Sequence, residues 1–386
     1  MINSNLNILI NEAKSKRFKN EFHVLEIIKG YDVIVYGHGE GYLPLHNSVL
    51  SRFNIIPKYI IDKKYNEKAQ DIDGENSKLL IGPNNAINIK NKNNFCIIVS
   101  IGNINSFNEV SKNLLNLGFK KIVWAPNIFE FNIHHHDHDY DTNPYLIFLD
   151  ANEINQAYQL LEDSISQETF LSLLKTYVTH EPQKIESKPI SEQYFDLTIF
   201  KKKDYRNYIN CGAYTGDSIL SLINNIGKIN NLIAIEPDPV NFNLLKDLCN
   251  KNKSKIANNI SLLPFALGDE NKTEEFTIGS GLCSEMGNKG SSVGIIEVKK
   301  LDDIISEDDY TFISIDIEGY EIKAIKGAEN IIKKSPNLAI SIYHRVFDLW
   351  KIVNLINSIN SNYKFYIRNY TGFSYETVLY CKKNDG

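Results

Sequence analysis

The sequence predicts an α/β protein built from two doubly wound domains, and three observations lead to this fold class. The chain has 386 residues, which is too many for one small core. Its first 125 residues alternate short β-rich runs with amphipathic stretches, and a similar alternation starts again at Tyr205. Short buried strands that alternate with helices are typical of a parallel sheet covered by helices on both faces.

In the N-terminal half, four apolar runs are predicted to be strands because each stops at a polar residue, a glycine or a proline. These runs are Val33–Tyr36, Tyr59–Ile61, Cys96–Ile101 and Lys121–Trp124. Between them, Phe107–Leu117 has apolar residues at helical spacing. We therefore expect a Rossmann-like N-terminal domain over residues 1–144.

Residues 145–193 are predicted to connect the two domains. Apolar side chains recur at helical spacing between residues 145 and 179, and Glu181–Glu192 then carries two prolines without periodicity. We interpret 145–193 as a helical connector and 194–386 as the second domain.

Seven strands are predicted in the second domain. They are Asn207–Asn210, Leu232–Ile235, Ile260–Phe265, Phe312–Ile315, Leu338–Tyr343, Tyr363–Ile367 and Thr377–Cys381. The last two follow each other without room for a crossover helix. An antiparallel connection is therefore expected at this end of the sheet.

Composition excludes several classes of protein. Hydrophobic residues make up 42% and charged residues 23%, which are values of ordinary globular domains. The net charge is −5, whereas a protein that binds nucleic acid needs a basic surplus, so no nucleic-acid partner is expected. Five widely spaced cysteines indicate neither a zinc site nor a disulfide framework. The apolar runs are too short to span a membrane and no signal peptide is recognisable, so a cytoplasmic protein is expected.

A cofactor site is predicted where the first strand of the second domain ends. Gly212 and Gly216 allow the chain to turn closely around a ligand, and a helix begins near Asp217. Glu236 follows the next strand, where a carboxylate accepts both hydroxyls of a ribose. The candidate cofactor-binding residues are Asn210, Gly212, Tyr214, Thr215, Gly216, Asp217, Glu236 and Asp238.

Two classes of cofactor share this geometry. A dinucleotide favours three glycines in the turn and a helix N-terminus without negative charge, but the third glycine is absent and Asp217 would repel phosphate. S-adenosylmethionine is a cation at sulfur and tolerates that carboxylate. The turn therefore favours S-adenosylmethionine over a dinucleotide.

A second group of ionisable residues follows two neighbouring strands. Asp316, Glu318 and Glu321 come after one strand, and His344 follows the next. Ligands of open α/β sheets bind outside such strand ends. Capping of the following helix explains one of these carboxylates, but it does not explain three. Asp316 is also predicted to contact the cofactor, because it is expected to lie close to the donor.

The stretch from about Tyr194 to Cys381 resembles an FkbM-family methyltransferase. The matching segments occur in the order of that family over roughly half of the chain. They are Asn210–Tyr214 with Gly216-Asp217, Ile235–Asp238, Ala266–Asp269, Leu301–Asp303, Ile315–Glu321, Lys326–Ala328, Ser341–His344 and Glu376-Thr377. One departure is Asn210, which stands where these proteins usually have Asp and shifts the expected contact with the methionine amino group to Asp217.

The resemblance implies the seven-stranded methyltransferase sheet, S-adenosylmethionine as donor, and O-methylation of a carbohydrate or sugar-nucleotide hydroxyl in bacterial surface polysaccharide biosynthesis. It also implies that adenine lies beside Ala266 and Leu267. Two alternatives stay open. In the first, the protein is a methyltransferase whose acceptor is a nonsugar oxygen such as a phosphate-type group. In the second, it is an NAD-dependent sugar-nucleotide oxidoreductase that uses its N-terminal domain.

Transfer to an alcohol needs a base that takes the hydroxyl proton. Asp316, Glu318, Glu321 and His344 are the candidate catalytic residues, and the pKa of histidine suits neutral conditions best. A divalent cation held by the same groups is the alternative, but no independent ligand pattern supports it, so no metal is expected. Arg368 and Tyr370 are the candidate substrate-binding residues. Gly279–Gly294 is glycine-rich and suits a lid or a plain connector.

Two motifs of the N-terminal half have weaker signals. Gly37, Gly39 and Gly41 follow a strand, with Asp62 after the next one, which is compatible with nucleotide binding but favours a docking or dimerisation domain. Homo-oligomers are therefore compatible with the sequence. The run His134–His138 is interpreted as a solvated linker, because metal sites usually collect ligands from separate elements.

Overall fold

The computed structural model of the protein describes residues 4–15, 27–39, 42–51, 53–65, 79–101, 104–125, 145–179, 183–277, 293–305 and 310–384. The chain divides into two compact units. The first unit comprises Met1–Leu149 and Leu173–Lys184, and the second comprises Asp150–Ser172 and Ile185–Gly386. All crossings of the chain from one unit to the other thus lie within the segment 145–193. The predicted domain limits stay a prediction. The histidine run His134–His138 lies outside the described residues.

The first unit contains a five-stranded parallel sheet with the order β3-β2-β1-β4-β5. Its strands are β1 (Asp32–Tyr36), β2 (Tyr59–Ile61), β3 (Leu79–Ile81), β4 (Phe95–Val99) and β5 (Lys121–Trp124). Its helices are α1 (Ser4–Ser15), α2 (Tyr42–Leu45), α3 (Ile104–Asn116) and α4 (Tyr145–Leu149). Strand β3 was not predicted, because three apolar residues alone do not distinguish a strand from a turn of helix.

Apolar side chains of this sheet point alternately to two hydrophobic clusters. Val33 and Val35 of β1 belong to one cluster, and Ile34 between them belongs to the other. Because successive side chains of a strand face opposite sides, both faces of the sheet are buried. This is the doubly wound arrangement that the sequence predicts.

The second unit contains a seven-stranded sheet with the order β14-β15-β13-β12-β6-β7-β8. Its strands are β6 (Asn207–Cys211), β7 (Ile229–Ile235), β8 (Ala257–Leu263), β12 (Phe312–Ile315), β13 (Asn337–Ser341), β14 (Tyr363–Asn369) and β15 (Thr377–Lys383). All pairs are parallel except those of β15, which is antiparallel to both β13 and β14. The predicted fold class and the predicted antiparallel connection are confirmed.

Helices of the second half are α5 (Ala151–Gln159), α6 (Ser164–Thr179), α7 (Asp217–Asn225), α8 (Pro239–Ile256), α9 (Leu301–Ile304), α10 (Glu321–Lys326), α11 (Glu329–Lys333) and α12 (Asp348–Ile359). The start of α8 is encoded locally. Asp238 accepts hydrogen bonds from the N–H groups of Val240 and Asn241, and Pro239 occupies the first helical position. No helix of the described ranges is both long and apolar enough to cross a membrane.

The chain between β8 and β12 forms a small three-stranded sheet with the order β10-β11-β9. Strand β9 (Ala266–Leu267) pairs in parallel with β11 (Val293–Lys299), which pairs antiparallel with β10 (Lys272–Thr277). The sequence did not predict this sheet, because β9 has two residues and β10 is mostly polar. Gly294, at the end of the predicted lid or connector, lies in β11, and residues 278–292 lie outside the described part.

Candidate active site

The predicted site residues follow strands whose carboxyl ends lie side by side. In the register of the sheet, Cys211 at the end of β6 pairs with Ile235 of β7 and with Ile315 of β12. Ile315 pairs in turn with Ile340 of β13. The residues that follow these four strands therefore meet at one edge of the sheet, as the rule for open α/β sheets requires.

A cavity of about 520 Å³ opens at this edge, a volume typical of small-molecule sites. Eight of the predicted site residues line it: Gly212, Tyr214, Asp217, Glu236, Ala266, Leu267, Asp316 and Glu318. Further lining residues that were not predicted as site residues include Gln193, Tyr194, Phe265, Tyr343 and Glu376. The cavity thus joins the predicted cofactor residues with two of the predicted catalytic carboxylates.

Gly212 is required by the close approach of two strand ends. Its φ of +85° is a conformation that other residues rarely adopt, and a Cβ there would overlap the carbonyl oxygen of Asp316. The N–H groups of Gly212 and Ala213 both donate to the carbonyl of Ile235. The turn after β6 is therefore fixed against the ends of both β7 and β12.

Glu236 is a buried carboxylate that faces the cavity. Its Oε2 accepts a hydrogen bond from the N–H of Tyr214 at 2.9 Å, and its Oε1 accepts one from the N–H of Asp238 at 3.0 Å. Burial raises the pKa of Glu236 to about 7, against the effect of these donors. The side-chain amide of Asn241 also donates to Oε1, at the long distance of 3.5 Å. Oε2 therefore retains a lone pair for a ligand, and Oε1 has only this weak contact to exchange for one.

Asp316 follows β12, and its carboxylate contacts several neighbouring side chains. The hydroxyl of Tyr194 donates to its Oδ2 at 2.5 Å, and its Oδ1 lies 3.4 Å from Nε2 of His344. Burial, together with the charge of Glu321, raises the pKa of Asp316 against the opposing effects of His344 and Tyr194. Asp316 therefore gains a proton more readily than an exposed aspartate.

His344 and Glu321 lie behind the cavity and do not belong to its lining. Both side chains are fully buried, and Nδ1 of His344 is 2.9 Å from Oε1 of Glu321. Burial alone would lower the pKa of His344, but Glu321, Glu318 and Asp316 outweigh it and raise that pKa well above its usual value. Burial likewise opposes ionisation of Glu321, but His344 outweighs it and lowers the pKa of Glu321. Both shifts favour the charged forms, an imidazolium beside a carboxylate.

Among the described residues, one group of side chains at this edge of the sheet has the spacing of metal ligands. Asp316, Glu318 and His344 each present one ligand atom, and these atoms lie within 4.8 Å of one another. The expectation that the protein uses no metal stays a prediction.

Backbone strain is concentrated at the cavity. Tyr194, Tyr214, Glu318 and Glu376 line it, and they have φ values of +67°, +47°, +55° and +52°. Positive φ is costly for residues with a side chain and persists where surrounding structure enforces it, which is a frequent property of functional sites.

Four other predicted cofactor residues support the site from outside the cavity lining. The amide of Asn210 donates to Ser218 Oγ at 2.7 Å, and its Oδ1 accepts from Ser314 Oγ at 3.1 Å. Asp238 caps α8. Gly216, with φ of +97°, precedes α7 next to the half-buried Thr215. The cofactor role of these four residues stays a prediction.

Arg368 and Tyr370 are buried in structural contacts. The guanidinium of Arg368 forms a bidentate pair with Asp163, at 2.6 and 3.2 Å, and also donates to Ser166 Oγ. The hydroxyl of Tyr370 is 2.5 Å from that of Tyr380. Neither residue is among the described residues that line the cavity. Because the bidentate partner of Arg368 is a carboxylate of this chain, the geometry gives no support to its predicted role as a substrate clamp.

Several polar residues of the cavity wall were not predicted as site residues, among them Tyr343, Glu376, Gln193 and Tyr194. Tyr343 and Glu376 lay within segments that resemble the FkbM family, so a signal for them was present. Gln193 lay in the predicted connector, where no pattern indicated a site, and its amide donates to Glu376 Oε2 at 2.5 Å. Tyr194 was noted only as the start of the second domain.

Comparisons with known proteins agree with this geometry. A family model described as the methyltransferase FkbM domain matches residues 210–365. The solved structure of methyltransferase FkbM from Methylobacillus flagellatus KT is similar in fold, with a TM-score of 0.72 at 21% identity over 98% of this chain and 99% of that chain. None of the curated proteins matches the chain.

Two other solved structures align over less of the chain. A methyltransferase from Geobacter sulfurreducens has 11% identity and a TM-score of 0.30 over 47% of this chain and 73% of its own. Fibrillarin from Aeropyrum pernix, in complex with natively bound S-adenosyl-L-methionine, has 7% identity and a TM-score of 0.29 over 47% and 68%. These two scores are too low to indicate a shared fold. The family match concerns part of the chain: residues 210–365 match a methyltransferase FkbM domain.

Proposed function

We propose that the protein transfers a methyl group from S-adenosylmethionine to a hydroxyl of a carbohydrate or sugar nucleotide, in bacterial surface polysaccharide biosynthesis. The observation that carries this proposal is the single cavity shared by Glu236 and Asp316, which brings a ribose acceptor and a candidate base to one place. The carbohydrate acceptor and its biosynthetic context rest on the family resemblance.

The lining residues suit the donor. Glu236 offers carboxylate oxygens for two ribose hydroxyls, and the Gly212 turn lets the backbone approach the ligand. Phe265, Ala266 and Leu267 supply an apolar wall for a flat base. Asp217 and Asp316 are carboxylates compatible with the amino group and the sulfonium, which are both cationic.

The donor supplies an electrophilic methyl group on its sulfonium, and the residues of the chain must orient the acceptor and receive its proton. Asp316 and Glu318 line the cavity, so we assign the proton acceptor to one of these two carboxylates. His344 and Glu321 are buried behind them and act as positioning residues. Nε2 of His344 lies 3.4 Å from Asp316 and 3.6 Å from Glu318, so the imidazolium balances both charges.

Several polar lining residues suit a polyhydroxylated acceptor. Ser191, Gln193, Ser221 and Glu376 line the cavity with hydroxyl, amide and carboxyl groups. Such groups donate and accept hydrogen bonds with sugar hydroxyls. An acceptor held here would lie in the same cavity as the donor.

The proposal is tested with the purified full chain, labelled S-adenosylmethionine and a set of glycans and sugar nucleotides. Mass spectrometry should detect a labelled methyl ether on a carbohydrate. Calorimetry should show that S-adenosylmethionine and its demethylated product bind, and that NAD binds far more weakly. Tight NAD binding without binding of S-adenosylmethionine would contradict the proposal and favour an oxidoreductase.

A further inference from the structure

Asn241 is a buried polar residue of the cavity wall that was not predicted as a site residue. It lies in the first turn of α8, lines the cavity and is only 5% exposed. Its side-chain amide faces Glu236, with Nδ2 3.5 Å from Oε1. Because buried polar atoms of proteins normally have hydrogen-bond partners, the contacts of this amide indicate what a ligand has to offer at this place.

The start of α8 fixes the position of Asn241 through its neighbours in sequence. Asp238 caps the helix and accepts a hydrogen bond from the N–H of Asn241 at 3.3 Å. Pro239 is the first helical residue and Asn241 is the third, a position from which a side chain reaches back towards the residues before the helix. Glu236 lies there, and its Oε1 accepts the N–H of Asp238 at 3.0 Å. The amide and the carboxylate are therefore held side by side by local structure alone.

The contact between these two side chains is weak. A distance of 3.5 Å is long for an N–H···O hydrogen bond, for which about 2.7–3.2 Å is usual. Among the described residues, it is the one hydrogen bond that the side chain of Asn241 makes. Oε1 of Glu236 also keeps its shorter bond from the N–H of Asp238 when the amide turns away. Transfer of Nδ2 from Oε1 to a ligand atom therefore costs little.

A ribose hydroxyl needs both an acceptor and a donor, because it has one O–H and two lone pairs. The carboxylate of Glu236 only accepts, and the N–H groups of Tyr214 and Asp238 already donate to its oxygens. A hydroxyl bound by Glu236 alone would keep its oxygen without a donor between side chains that are 5–6% exposed, which is costly. The amide of Asn241, next to Oε1, supplies that donor.

We propose that Asn241 binds the methyl donor directly, with Nδ2 donating to the ribose hydroxyl that itself donates to Oε1 of Glu236. The inference deepens the proposed function and rests on it. It makes the two residues a pair that selects one free hydroxyl, since only a hydroxyl accepts from the amide and donates to the carboxylate at once. A site built in this way discriminates against ligands that lack the hydroxyl, because its own polar groups are then left unpaired.

The test is calorimetry of the full chain with three ligands, which are the demethylated product S-adenosylhomocysteine and its 2′-deoxy and 3′-deoxy forms. Asn241→Leu removes the amide at nearly constant shape and should bind the product about three- to tenfold more weakly, as expected for one neutral hydrogen bond. The loss should remain with one deoxy form and fall to within about twofold with the other, because residue and hydroxyl are then the two arms of one cycle.

Two further variants make the result independent of a single substitution. Asn241→Ala removes the same amide without adding apolar volume and should show the same pattern over the three ligands. Asn252→Leu is the matched control, because Asn252 lies in the same helix and its amide donates to the carbonyl of Leu248 at 3.0 Å. Asn252 is not among the described residues that line the cavity, so its replacement should leave all three affinities unchanged.

The pattern of losses decides between a direct contact and other roles. Equal losses with all three ligands would overturn the inference, because the amide would then act on another part of the donor or on the fold. A loss that disappears with both deoxy forms would also overturn it, because Glu236 is expected to contact both hydroxyls and Asn241 would act only through that carboxylate. Unchanged affinity of both Asn241 variants would overturn it as well. Failure of wild type to bind the product would instead contradict the proposed function, and the inference with it.

Discussion

Replacement of Glu236 by glutamine tests the donor site most directly. Glu236 lines the cavity, and Tyr214 and Asp238 already donate one backbone hydrogen bond to each of its oxygens. One ribose hydroxyl would use the second lone pair of Oε2, and the other would replace the 3.5 Å contact of Oε1 with the Asn241 amide. Hydrogen bonds to a charged group contribute about 1.5–3 kcal/mol and neutral ones about 0.5–1.5 kcal/mol. Loss of charge at two bonds therefore weakens donor binding by about 2–3 kcal/mol, which is roughly 30- to 150-fold.

The pH dependence gives this prediction a sign. The pKa of Glu236 is raised to about 7 in the folded protein, from 4.5. We therefore expect wild-type affinity for S-adenosylmethionine to rise as pH increases through about 7, where Glu236 ionises. The affinity of Glu236→Gln should lack this rise. Calorimetry from roughly pH 5.5 to 8.5 measures both curves. An affinity of the variant within threefold of wild type at pH 8 would refute the assignment of Glu236 to the ribose.

Folding stability separates loss of binding from loss of structure. Between pH 4.5 and about 7 the folded state keeps a proton that the unfolded state has lost, so wild-type stability falls as pH rises through this window. The shift corresponds to a cost on the order of 3 kcal/mol at pH 8. Glu236→Gln avoids this cost, but it leaves one backbone N–H without an acceptor, at about 1–3 kcal/mol. The variant should therefore be about as stable as wild type at pH 8.

Three further changes test other parts of the site. Gly212→Ala should destabilise the protein by about 2–6 kcal/mol in urea unfolding, because a Cβ at φ +85° overlaps the Asp316 carbonyl; Gly227→Ala, at φ +92° with open space around it, should cost only about 1 kcal/mol. His344→Asn should lower stability by about 3–5 kcal/mol, because it leaves buried carboxylates without their imidazolium, and an unchanged thermal midpoint would contradict that pairing. Chelator should leave turnover unchanged, because the described residues offer no ligand pattern beyond Asp316, Glu318 and His344 themselves. Loss of activity that manganese restores would overturn this expectation.

The sequence predicted the parts of the fold that local pattern encodes. Six of the seven strands of the main sheet are mostly buried runs, and β8, at the sheet edge, is mostly exposed or half-buried. The short connection between β14 and β15 requires an antiparallel pair. The small sheet has no such pattern, since the two residues of β9 become a strand only through pairing with β11, about 30 residues later. Strand pairs of this kind are decided by tertiary contacts rather than by propensity.

The same difference separates the predicted and the missed site residues. Gly212, Glu236 and Asp316 each follow a strand directly, so the sheet topology brings them together. Gln193 reaches the cavity by a contact with Glu376 across 183 positions, and such a contact leaves no trace in local sequence. Arg368 illustrates the converse, because its position near a strand end suggested a ligand, whereas its partner Asp163 lies 205 positions away, directly before α6.

The acidic character of the cavity leads to a prediction about the charge of its ligand. Burial raises the pKa of Asp316. Burial also raises the pKa of Glu376 to about 7, and the negative charge of Asp316 is a further cause of that shift. A cationic sulfonium beside these groups would favour their ionised forms and lower both pKa values, so binding of S-adenosylmethionine near pH 7 should release protons. The demethylated product has no charge at sulfur and should release fewer. Calorimetry of both ligands in buffers with different ionisation enthalpies measures the difference. Equal proton release by the two ligands would mean that the sulfonium does not lie near Asp316 and Glu376, and the donor would have to be reoriented in the cavity.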